Sequence, residues 1–81
     1  MPYYEFIWTD ALVDHVTEHG VSLDEFEHVV CSPSSKGYSH SSGLPAAWGY
    51  TPEGRYLMAV YEQLDLVTLL PVTAYEVHEP R

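Results

Sequence analysis

Basic residues are scarce in this chain: three lysines and arginines stand against twelve aspartates and glutamates in 81 residues, a formal charge of −9. Such a field repels nucleic acid and anionic membranes at long range and favours a basic partner. Cysteine occurs once, at Cys31, which excludes an internal disulfide and suits a reducing compartment. No apolar stretch reaches the roughly 18–20 residues that a bilayer span needs. The opening "MPYYEFIW" has neither the basic end nor the apolar run of a signal peptide. A cytoplasmic protein with no membrane association is expected. Linkers, repeats and low-complexity blocks are also lacking, and only "CSPSSKGYSHSSG" is biased, toward serine. Residues 1–81 therefore read as a single domain. A domain of this size buries only about 60–65% of the surface its unfolded chain exposes, enough for one core.

What is present is hydrophobic periodicity with clear punctuation. Aromatic-rich "YYEFIW", residues 3–8, reads as a strand. Thr9 or Asp10 can cap a helix whose narrow apolar stripe is Leu12, Val13 and Val16. Gly20 supplies the left-handed conformation that commonly ends a helix, and Val21 can fold back on its last turn. Ser22 opens a second helix, with Glu25 three residues on to complete a capping box. That helix buries Leu23, Phe26, Val29 and Val30, and Ser32-Pro33 stops it.

The second half reads as an antiparallel meander. A first, weak strand falls near residues 36–40 and a second at 46–51. "TPEG" is a turn, with Gly54 able to take a positive φ. Residues 55–61, "RYLMAVY", are apolar on both faces and so central. A last strand spans residues 66–72, where Pro71 implies an edge or a bulge. The fold class is α+β: strand, helix, helix, then three or four antiparallel strands with both helices on one face.

Short motifs offer several chemistries. "HVTEH" places His15 and His19 four apart on one helix face, as in zinc peptidases of the His-x-x-Glu-His type. Gly20 ends the helix at once and no third ligand is evident, so the favourable end of the helix dipole explains His19 better. Neither a metal nor a cofactor is expected. Cys31, on an apolar helix face, reads as a small packing residue. A nucleophile elbow and a phosphate loop are absent. Asp10, Asp14 and Glu18 make an acidic stripe, either a solvated face or a docking surface for a basic partner.

Charge distribution says more than its total. Seven carboxylates precede His28, five follow Pro52, and residues 28–52 contain none. That segment holds Lys36, Tyr38, His40, Trp48 and Tyr50, and Arg55 follows just beyond it. A sheet face built from these residues is the least repulsive place for an anion. Lys36, Tyr38, Trp48 and Tyr50 are accordingly the candidate substrate-binding residues; the alternative is an ordinary uncharged hairpin.

"FIWTDALVDHVTEHGVSLDEFEHVV", then Pro33, "GYTPEGRYLMAVYE" and "VTLLPVTAYEV", resembles the BrnT family of small toxins in the RelE-like group, over roughly residues 5–77. The most specific elements are His19-Gly20-Val21-Ser22 and Gly54-Arg55 with Leu57, Val60 and Tyr61. The resemblance implies the toxin of a toxin–antitoxin system: a metal-independent endoribonuclease of the cytoplasm, acting on free or ribosome-bound messenger RNA and neutralised by an antitoxin protein. In such chemistry the 2′-hydroxyl attacks the adjacent phosphate, a base takes its proton, an acid protonates the leaving oxygen, and cations stabilise the phosphorane. Arg55 matches the family arginine and would clamp the phosphate; His19 matches the family histidine. His40 and Tyr75 are candidates for proton transfer and phosphate contact on residue chemistry alone. The family's other cations are replaced here, a lysine by Glu18 among them. A second expectation therefore stands beside the first: a non-catalytic module of the same fold that holds a basic protein through its acidic helices.

Overall fold

The computed structural model describes residues 4–78. Its elements are β1 (Glu5–Phe6), α1 (Asp10–Glu18), α2 (Leu23–Cys31), β2 (Ser35–Tyr38), β3 (Pro45–Tyr50), β4 (Tyr56–Gln63) and β5 (Thr68–Glu76). The strands make one five-stranded sheet in the order β1-β5-β4-β3-β2. From β2 to β5 each strand pairs antiparallel with the next, so the meander has four strands and the α+β class holds.

The first strand differs from expectation. Only Glu5 and Phe6 pair, and they run parallel to β5 against Thr68 and Leu69, which makes the sheet mixed. The reason lies in the side chains. Tyr4, Phe6 and Trp8 pack against the helix-side core, where Phe6 and Trp8 meet the Phe26 ring edge-on at centroid distances of 6.2 and 5.3 Å. Burying aromatic surface under α2 outweighs a longer ladder. Tyr3 lies outside the described residues.

Helix boundaries follow local chemistry. The Thr9 side chain caps α1 by accepting from the Leu12 N–H. Gly20 reverses the chain at φ +77°, the Val21 N–H returns to the Val16 carbonyl, and both valines are buried. Ser22 and Glu25 form both halves of the capping box of α2. The apolar positions of α2, Phe26, Val29 and Val30, then lie on Ala47, Leu57, Ala59 and Leu69.

β4 lies in the middle of the sheet, and all six residues from Tyr56 to Tyr61 are buried. The register jumps between Val60, opposite Thr73, and Tyr61, opposite Pro71, which leaves Val72 as the extra residue of a bulge. Pro71 sits in that bulge and beyond the reach of β1, so its missing N–H costs the ladder nothing. Alternation along the strands separates two cores: Leu57, Ala59 and Ala47 under the helices, and Ala46, Met58 and Val60 on the other face.

Candidate functional site

Three tight connections converge on Arg55. The Thr51 hydroxyl accepts from the Arg55 N–H and the Thr51 N–H donates to the Arg55 carbonyl, which fixes the β3–β4 turn. The αL turn at Gly20 leaves its carbonyl facing this corner, and Nη1 of Arg55 donates to it at 2.9 Å. The same nitrogen faces both carboxylate oxygens of Glu25 at 3.3 and 3.2 Å, while Nε lies 3.5 Å from Glu76. One guanidinium thus ties the α1–α2 turn, the first turn of α2 and the end of β5 together. Its ion pairs are with Glu25 and Glu76, far from it along the chain, and not with neighbouring Glu53. Burial pushes the Glu25 carboxyl up, but the Ser22 N–H, the Arg55 guanidinium and smaller hydrogen-bond contributions from the Ser22 side chain and Glu53 outweigh it and hold it below the usual carboxylate range.

His19 and Tyr75 share this corner. His19 caps α1 next to Gly20, Tyr75 precedes Glu76, and their rings stand 6.2 Å apart. His15 lies one turn back, its ring 5.2 Å from that of His19 and its Nε2 3.0 Å from the Thr73 hydroxyl. The Tyr75 hydroxyl donates to the Met58 sulfur at 3.3 Å. Two of the four candidate catalytic residues, His19 and Tyr75, therefore meet ring to ring, and each adjoins in sequence a residue that Arg55 contacts, Gly20 and Glu76. His40 does not join them. It follows β2 in the loop before β3, at the opposite end of β3 from the Arg55 turn, and β2 itself ends at Tyr38 because the chain turns through Ser39 and Gly43.

The candidate substrate-binding residues do not form one face. Lys36 pairs with Ala47 and Tyr38 with Pro45, on the helix side, whereas Trp48 and Tyr50 alternate to the other side. Lys36 extends its ammonium over the Tyr4 ring, 5.9 Å from the centroid. Trp48 lies across Gly37, where an added Cβ would come within 3.3 Å of the indole, and Tyr50 stacks near Tyr56 at 4.8 Å. Segment-level charge grouped these residues along the chain, but only strand parity decides which side each one takes.

A groove of about 570 Å³ opens beside the Arg55 corner, lined by Ser22, Asp24, Glu25, His28, Pro52 and Glu53. Its carboxylates make it a poor place for a phosphate. Burial pushes the Cys31 thiol up, Glu27 adds to the effect and Lys36 opposes it, so the thiol has little nucleophilic character. Among the described residues no group of three or more His, Cys, Asp or Glu side chains is arranged to hold a metal ion. No described helix is long and apolar enough to cross a membrane. The sequence reading found Glu25 only as a capping residue; its second role, facing Arg55 from thirty residues away, has no local signal. Comparison with protein-family models, with curated proteins and with solved structures gave no match.

Proposed function

We propose that this chain is a BrnT/RelE-like domain from a toxin–antitoxin-type pair whose role is to hold a basic protein partner, without cleaving RNA itself. The observation that carries this reading is the state of Arg55. Its guanidinium, the cation that the resemblance assigns to the scissile phosphate, is engaged by the Gly20 carbonyl, Glu25 and Glu76. A phosphate would have to displace two carboxylates, and the adjoining groove adds Asp24 and Glu53. Useful RNA affinity needs several phosphate contacts, and Lys36 is turned to the helix side of β2, away from that corner. A net charge of −9 favours a cationic protein instead. Support for the family reading comes from element order: helices with a shared glycine turn, followed by a four-strand meander.

The ribonuclease reading keeps one observation of its own: the His19 and Tyr75 rings meet, and their chain neighbours Gly20 and Glu76 both contact Arg55. A cleavage assay separates the two. Purified protein is incubated with unstructured RNA at low salt, with and without ribosomes, beside Arg55→Ala and Arg55→Lys. The binding reading expects no cleavage by any of them, no growth arrest on induced expression, and a stable complex with the product of the neighbouring reading frame. Wild-type cleavage that falls roughly ten- to a hundredfold in Arg55→Ala, the size of a lost charge-assisted contact, would establish the enzyme instead.

A further inference from the structure

The large apolar side chains that stand exposed among the described residues are three tyrosines and four aliphatics, Ile7, Leu64, Leu66 and Val67. A tyrosine keeps a hydroxyl for water, whereas an exposed aliphatic has nothing to offer it. Three of the four aliphatics occupy the β4–β5 turn, and Leu66 is 88% exposed. The turn lies at the far end of β4 from Arg55, and every residue from Glu62 to Val67 is exposed. It is also held in one shape. The Asp65 carboxylate accepts from the Val67 and Thr68 N–H groups at 2.9 and 2.8 Å, and the Leu64 N–H donates to the Thr68 carbonyl. The Val67 carbonyl accepts from the Glu5 N–H at 2.7 Å, which ties the turn to β1. Three aliphatic side chains are thus presented to solvent on a braced turn, and binding there needs to order little more of the chain.

We propose that this turn is a plug: Leu64, Leu66 and Val67 enter an apolar pocket of a partner protein whose rim carries Lys or Arg. The inference rests on the protein-binding reading above and names the part of the chain that the basic partner takes hold of. Charge chooses the occupant. Glu62 and Asp65 are exposed beside the three aliphatics, and Glu5 is exposed on the strand tied to the turn. Among the described residues none of these carboxylates is in an ion pair: Arg55 is engaged at the other end of β4, and Lys36 is turned over the Tyr4 ring. Free carboxylates around an apolar centre match a pocket of the opposite kind, apolar inside and cationic at its mouth. An anionic membrane would meet the same carboxylates as like charge. So would a second copy, which would set Glu5, Glu62 and Asp65 of one chain against those of the other. Three aliphatic side chains expose a few hundred Å², the size of the largest apolar patch on an ordinary monomer. That area suits an anchor within a wider interface.

The test uses the full-length protein with methyl-labelled Leu and Val, titrated with the purified product of the neighbouring reading frame. The expected result is a saturable complex in which the Leu64, Leu66 and Val67 methyl signals shift most. Leu66→Asp should weaken it by about tenfold or more, while Leu66→Met, still apolar and of similar volume, should bind almost as wild type. Asp65→Asn separates charge from shape. Its amide oxygen still accepts both N–H bonds, but one charge is gone, so association should slow and lose part of its salt dependence. Because Leu66 and Asp65 are exposed, these variants keep the fold, which retained amide shift dispersion checks. Phosphatidylcholine vesicles with and without phosphatidylserine, and the free protein at rising concentration, are the comparators; none of them should move the three methyl signals.

A complex in which the Leu64, Leu66 and Val67 signals stay in place, or one that Leu66→Asp leaves at wild-type affinity, would overturn the plug yet leave the protein-binding reading intact. Shifts of the same methyls on vesicles, or on concentrating the free protein, would give the turn to a membrane or to a second copy instead. Nuclear Overhauser contacts that cover Leu66 with residues 1–3 of the free chain would overturn it as well. No complex at about 1 mM, or RNA cleavage with no partner complex, would remove the protein-binding reading itself and the plug with it.

Discussion

Arg55 does the work of a brace. Its side chain is 31% exposed and that of Glu25 only 12%, so the pair is partly shielded, while Glu76 at 58% is a surface contact. Exposed pairs contribute about 0–1 kcal/mol, and a charged hydrogen bond to a backbone carbonyl contributes about 1.5–3 kcal/mol. Arg55→Ala should therefore destabilise the fold by about 1–3 kcal/mol, read by urea denaturation. Arg55→Lys should recover only part of that, because an ammonium lacks the planar fork that meets three acceptors. A variant as stable as wild type would show that the brace is incidental. Glu25 gives the same corner a pH dependence. Its folded pKa lies below the ordinary 4.5, so its contribution is fully present above that value and is lost as pH falls through the folded pKa. Glu25→Gln should lower stability at neutral pH and make the acid limb, from pH 4.5 downward, shallower in a series of melts.

At the level of elements, the helices were readable because their signals are local. Thr9, Gly20, Ser22 and Glu25 each act within four residues of themselves, and each takes the role its chemistry dictates. Strands were readable where apolar runs are long, as in β4, and less so at the margins. β5 runs on to Glu76, past the expected end at residue 72, because the bulge at Val72 lets the chain resume its ladder with β4. β1 shrinks to two residues because its aromatic side chains are worth more against Phe26 than its backbone is against β5. Protection from amide exchange should follow sheet position: slowest in β4, paired on both sides, and faster in the edge strands β1 and β2, each with one neighbour. Exchange in β4 as fast as in β2 would contradict the strand order.

For the whole molecule, a charge of −9 on a single small domain opposes compaction through self-repulsion. Raising sodium chloride from about 10 mM to 150 mM shortens the Debye length from about 30 Å to 8 Å. The melting temperature should rise over that interval; a fall would mean that attractive pairs such as Arg55 with Glu25 outweigh the net field. The same distribution of charge shapes the functional reading, since the acidic groove and the acidic surround of the β4–β5 turn are consequences of where carboxylates fall once the chain is folded. The sequence by itself determined the α+β class, the helix boundaries, the glycine turns and the central place of β4, because capping, φ sign and hydrophobic period act over a few residues. It also named His19, Arg55 and Tyr75, but as separate points on a line. Only the tertiary structure set the His19 and Tyr75 rings together, each next in sequence to a residue that Arg55 contacts, turned Glu25 and Glu76 onto the guanidinium, and placed Lys36 and Trp48 on opposite sides of one sheet. Those outcomes depend on register and on contacts between residues thirty or more positions apart, and a one-residue change of strand parity would have reversed the last of them.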